Sequence, residues 1–144
     1  MSALPGTTGR RRIYLMRHGF VDYTSEEVRR TRDPSIVSLT PAGEDEARAA
    51  GAALSEVHFD LAICSGLKRT RQTAELVLAE HPDAPDLEVE QRFEELRSGQ
   101  YINFESAEHL AATMTFMFEQ AGEPDAEFLP GGEKFSDAMV RIMD

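Results

Sequence analysis

Short apolar runs alternate along this chain with longer stretches of helical periodicity, and that alternation restricts the architectures open to it more than any other feature. Ile13–Met16, Phe59–Cys64 and Leu87–Glu90 read as short strands. Between and after them lie stretches with helix punctuation. Thr40 can cap a helix with Pro41 at its first position, and alanines with Leu54 recur at helical spacing from Ala42 to Glu56. A helix over 68–80 is ended by Pro82. Another over 106–120 carries Leu110, Met114, Met117 and Phe118 as an apolar stripe closed by Gly122, and Phe135, Met139, Ile142 and Met143 form one face of a last helix over 136–144. Strands that alternate with helices in this way predict an α/β fold, an open and mostly parallel sheet with helices on both faces. Ligands of such sheets bind beyond the carboxyl ends of the strands.

Two such strand ends carry chemistry. Arg17-His18-Gly19 follows Ile13–Met16, and Ser65-Gly66-Leu67-Lys68-Arg69-Thr70 follows Phe59–Cys64. A neutral imidazole attacks phosphorus without first losing a proton, and a guanidinium offers a planar fork of donors to phosphoryl oxygens. Taken singly the signals are weak: an Arg-His-Gly tripeptide recurs by chance, and Arg69 in the basic group Lys68-Arg69-Arg71 reads as a solvated helix-face charge.

Their company changes the reading. Leu39-Thr40-Pro41-Ala42-Gly43, Gln72-Thr73-Ala74, Phe93-Glu94-Glu95-Leu96 with Gly99, and Pro130-Gly131-Gly132-Glu133 follow in order. Together these motifs resemble the histidine phosphatase superfamily, which includes the phosphoglycerate mutases and many small phosphatases. The resemblance runs from about Ile13 to Asp144. It implies a three-layer α/β/α, phosphoglycerate mutase-like fold and a reaction through a phosphohistidine. On this resemblance His18 matches the nucleophile, Arg17 and Arg69 match the arginines that clamp the phosphoryl group, and Glu95 matches the acid that protonates the leaving oxygen. A carboxyl beside a bound anion is expected to titrate upward, which keeps it able to donate. Glu94 competes with Glu95 for that role, and the spacing to Gly99 favours Glu95. Thr24, six residues beyond the histidine, falls where relatives carry a polar phosphate contact. The implied activity is a phosphatase acting on a small phosphorylated metabolite, with no cofactor and no metal. A phosphoglycerate mutase is the alternative, disfavoured because Gly99-Gln100-Tyr101-Ile102-Asn103 lacks the glycine-leucine-asparagine-lysine stretch of the mutases. A phospho-ligand binding protein without turnover is the third reading.

Two departures stand out. Phe20 replaces the polar or acidic residue that usually follows the glycine. No histidine follows His109, whereas the family places a second histidine after the Pro130–Glu133 motif; the expectation is that the domain over 13–144 is incomplete at its C-terminus, with a natural short variant as the alternative.

The formal net charge of −11 argues against nucleic acid or an anionic membrane as a partner. It also requires that an anionic substrate meet a local positive focus. The single cysteine, Cys64, excludes an internal disulfide and reads as a small buried side chain. The four histidines have no metal-ligand spacing; His58, His81 and His109 read as ordinary surface or partly buried residues. Residues 1–12 have a triple arginine and no apolar core, so they are expected to be a flexible leader in a cytoplasmic protein. The oligomeric state leaves no trace in the sequence.

Overall fold

The computed structural model describes residues 12–99, 104–120, 122–123, 125–127 and 129–144. The expected leader, apart from Arg12, and the stretch Gln100–Asn103 lie outside the described residues. In chain order the elements are α1 (Glu26–Thr31), α2 (Pro41–Ala53), β1 (Ala62–Cys64), α3 (Lys68–Leu78), β2 (Leu87–Val89), α4 (Ala107–Gln120) and α5 (Phe135–Met143), with short 3-10 turns at Pro34–Ile36 and Gln91–Phe93.

The centre is a β1–α3–β2 unit. The strands pair in parallel, Ala62 opposite Leu87 and Cys64 opposite Val89, and the Glu90 N–H extends the ladder to the Cys64 carbonyl at 2.9 Å. A parallel pair needs a crossover between its strands, which α3 supplies. Helix α2 starts where the sequence places it: the Thr40 hydroxyl accepts from the Gly43 N–H, with Pro41 in the first turn. It packs on α3 through small residues, and Gly43, Ala47 and Gly51 are buried. A Cβ on Gly51 would overlap the backbone of Val77 in α3. Helix α3 buries Arg69, Thr73 and Val77, one stripe at four-residue spacing. Cys64 is buried and free.

Two apolar clusters flank this unit. Val21, Val28, Val37 and Leu39 form one, with Tyr23 and Leu76 against it. Met117 and Leu129 form the other, with Leu96, Met114 and Phe135. The first depends on α1, a helix too short for periodicity to reveal. Ser25 caps it by accepting from the Val28 N–H, acidic Glu26 and Glu27 open it and Arg29 and Arg30 close it, as the helix dipole favours.

Three expectations need correction. Ile13–Met16 is not a buried strand: among the described residues it joins no ladder, and Ile13 and Leu15 are 86% and 97% exposed. A strand exists only beside a partner, and an apolar run cannot report whether one is there. The strand expected over Phe59–Cys64 shortens to Ala62–Cys64, the residues that find partners in β2, while the Phe59 ring lies edge-on to Tyr14 at 5.7 Å and tilted on buried His81 at 4.9 Å. The α4 stripe narrows to Leu110, Met114 and Met117, leaving Phe118 exposed; the helix expected at the end of the chain is present as α5, with Ala138 buried and Met139, Ile142 and Met143 exposed.

Candidate active site

The loop that follows Met16 is fixed by its backbone. Gly19 is buried, and its N–H donates to the Thr73 hydroxyl on α3 at 3.0 Å; that hydroxyl donates in turn to the Arg69 carbonyl at 2.8 Å. A Cβ on Gly19 would overlap the carbonyl oxygen of Gly43, and one on Gly43 would overlap the Phe20 backbone. Only paired glycines let these two chains cross so closely. The Phe20 carbonyl then accepts from both the N–H and the hydroxyl of Thr40, at 3.0 and 3.2 Å, and the Phe20 N–H donates to Glu46 at 2.8 Å. The Phe20 side chain itself is 57% exposed.

His18 is half-buried. Its Nδ1 lies 2.8 Å from the Gly19 carbonyl oxygen, which can only accept, so Nδ1 carries the proton and Nε2 presents its lone pair. Burial pushes the imidazole pKa below 6.5; the Gly19 hydrogen bond opposes this, Arg69 and Arg17 lower it further, and Glu95 pulls the other way. The ring is therefore neutral near pH 7. Tyr23 places its hydroxyl 3.5 Å from Nε2.

Arg69, in the first turn of α3, is only 4% exposed. Its Nη2 donates to Glu95 Oε2 at 2.6 Å and its Nη1 to the Pro34 carbonyl at 3.3 Å. The Tyr23 ring lies 5.6 Å from the guanidinium carbon. Its Nε is buried with no hydrogen-bond partner among the described residues.

The remaining expected residues divide. Arg17 is exposed and unpaired among the described residues, yet close enough for its charge to act on both His18 and Tyr23. Of the two adjacent glutamates, Glu95 reaches Arg69, while Glu94 faces Arg97 at 3.9 Å. Thr24 is not drawn in: its hydroxyl donates to Asp22 at 2.7 Å and makes no hydrogen bond to the other four. His109, on α4, is exposed against Phe104. Among the described residues, no group of three or more His, Cys, Asp or Glu could hold a metal ion, and no helix is long and apolar enough to cross a membrane.

Sequence reasoning passed over Tyr23, which touches both His18 and Arg69. The available signal was its place five residues after the histidine, in the loop between Gly19 and Ser25. The assembled group offers a lone pair on nitrogen, a buried guanidinium with an unused donor, a second exposed guanidinium and a carboxyl group. That set can receive a phosphoryl group and exchange a proton with its ester oxygen.

Comparison with known proteins agrees on the architecture. A mycobacterial glucosyl-3-phosphoglycerate phosphatase solved with inorganic phosphate superposes with a TM-score of 0.61 at 21% identity, over 88% of this chain and 56% of that one. The phosphoglycerate mutase-like α/β fold with its open parallel sheet is thus shared. The 2,3-bisphosphoglycerate-dependent phosphoglycerate mutase 2 of Gloeobacter violaceus is 31% identical over 133 residues, 91% of this chain and 59% of its own. A broad-specificity phosphatase of Saccharomyces cerevisiae is 35% identical over 69 residues, 46% of this chain and 29% of its own. The chain thus spans between 29% and 59% of the length of these two curated relatives. Residues 13–144 match the histidine phosphatase superfamily (branch 1), and the chain belongs to that family.

Proposed function

We propose that this chain is the catalytic part of a phosphatase that hydrolyses a small phosphorylated metabolite through a phosphohistidine on His18. One observation carries the reading: a neutral, half-buried imidazole has Nδ1 tied to the Gly19 carbonyl and its Nε2 lone pair in the field of Arg69 and Arg17.

In the first step Nε2 attacks phosphorus, the bond from phosphorus to the ester oxygen breaks, and the Glu95 carboxyl gives its proton to that oxygen. In the second, water attacks the phosphohistidine, Glu95 takes the water's proton, and phosphate leaves with His18 restored. Arg69 and Arg17 meet the charge on the phosphoryl oxygens with fixed donors. The short Arg69–Glu95 contact is the resting arrangement, in which the carboxylate occupies one nitrogen, Nη2, of the guanidinium. A phosphoryl group that takes Arg69 frees the Glu95 carboxyl to face the ester oxygen. Hydrolysis rather than mutase transfer is preferred because residues 99–103 lack the mutase-type stretch. A net charge of −11 favours a small ester, which needs only a local positive focus, over a polyanion.

The test is turnover of p-nitrophenyl phosphate with trapping of an acid-labile phosphoenzyme. His18→Ala is expected to abolish both. Near-normal turnover in His18→Ala would overturn the mechanism.

A further inference from the structure

Glu95 sits in a segment with no regular secondary structure from Glu94 to Gly99, so no ladder of its own holds its carboxyl in place. The hold comes from the far end of the chain. Arg141 in the last turn of α5 grips Glu133 side-on with one edge of its guanidinium, Nε to Oε1 at 2.8 Å and Nη2 to Oε2 at 2.7 Å. Its remaining nitrogen, Nη1, donates to the carbonyls of Arg92 at 2.6 Å and Glu94 at 3.1 Å. Glu133 is tied to the same segment from its own side. Its Oε2 accepts from the Arg97 N–H at 3.2 Å, and its N–H donates to the Arg97 carbonyl at 2.9 Å. Both side chains are largely buried, at 14% and 10% exposure.

The contacts bracket Glu95 and Leu96. Arg141 fixes the carbonyls at 92 and 94, Glu133 fixes both polar groups of residue 97, and Glu95 lies between. A Cβ on Gly99 would overlap the backbone of Pro130 and Gly132, so the two strips of chain lie directly against each other beyond the clasp. A buried ion pair on its own is weak evidence of stabilisation, because desolvation offsets much of the attraction. A pair that spends its spare donors and acceptors on the backbone flanking one carboxyl has a geometric use.

We infer that Glu133 and Arg141 are positioning residues for Glu95, holding its backbone so that its carboxyl meets Arg69 and the oxygen of a leaving group. This rests on the proposed acid role of Glu95. Neither residue touches the phosphoryl group, so both act on proton delivery and leave the clamp intact.

Leaving-group dependence separates this from general support of the fold. Nitrophenolate departs with little need of a proton, whereas the alkoxide of glycerol phosphate needs one. Arg141→Lys keeps a cation near Glu133 but loses the fork that reaches both carbonyls. Glu133→Gln keeps the shape and removes the charge, and serves should the first variant fail to fold. Kinetics of both variants and of Glu95→Gln are compared on the two esters. The expected result in the two clasp variants is a kcat on glycerol phosphate reduced about tenfold more than on p-nitrophenyl phosphate, with KM little changed, in the range that small misplacements of a catalytic group cost. Equal losses on both esters in the clasp variants, with selective loss in Glu95→Gln, would overturn this inference alone. Absence of selectivity in Glu95→Gln as well would remove the acid and the inference with it.

Discussion

Glu95→Gln is expected to tighten anion binding while it slows turnover. In the resting site the Glu95 carboxylate occupies the Nη2 edge of Arg69 at 2.6 Å, so an incoming anion must displace it and then sit beside it. Two unit charges roughly 4 Å apart repel by about 1 kcal/mol in water and about 4 kcal/mol at the screening usual near a protein surface. The Glu95 side chain is 50% exposed, which places the effect toward the lower figure, about 1–2 kcal/mol. Since about 1.4 kcal/mol corresponds to a tenfold change in affinity, removing the charge is expected to tighten sulfate binding about tenfold. Isothermal titration with sulfate at constant ionic strength measures this, with Arg69→Gln as the control that loses the site. Sulfate has no ester oxygen to protonate, so the readout is independent of the acid step. Equal or weaker binding to Glu95→Gln would refute the idea that this carboxylate competes with the substrate for Arg69.

Burial holds the His18 pKa below 6.5 in the folded protein, so the unfolded chain binds the extra proton first. Stability is thus present above that value and falls as pH drops below it, less so in His18→Gln, as acid unfolding would show. For the same reason the rising limb of kcat/KM against pH is expected below 6.5; a limb above it would contradict the neutral nucleophile. Gly19→Ala puts a methyl into the Gly43 carbonyl and is expected to cost roughly 1–3 kcal/mol, as overpacking does, with a loss of activity out of proportion to the loss of stability; denaturant titration beside turnover checks both.

Local chemistry was legible in the sequence, and contacts between distant segments were not. Thr40-Pro41 announces the start of α2 because cap and first turn are neighbours in sequence. The β1–α3–β2 unit follows from apolar runs separated by a helical stretch. Ile13–Met16 misleads because its composition states a preference that only a neighbouring strand can satisfy. Glu94 and Glu95 are chemically identical, and what sends one to Arg97 and the other to Arg69 is the path of an irregular segment held from α5. Helix α1, with six residues, is shorter than two turns and leaves no periodic trace. The Tyr23 ring, the Pro34 carbonyl and the Glu133–Arg141 clasp join positions from 35 to 49 residues apart or meet across the fold, beyond the reach of any motif.

Thr40 has a further consequence for motion. Its hydroxyl starts α2 by accepting from Gly43, and its N–H and hydroxyl together hold the Phe20 carbonyl, next to Gly19. Fraying of the first turn of α2 would therefore release the Phe20 carbonyl at the same moment. The two segments are therefore expected to open together, with the amides of Thr40 and Gly43 showing similar protection from hydrogen exchange. The loop that carries His18 is thereby coupled to the first turn of α2, in addition to its isolated bridge from Val21 to Leu39.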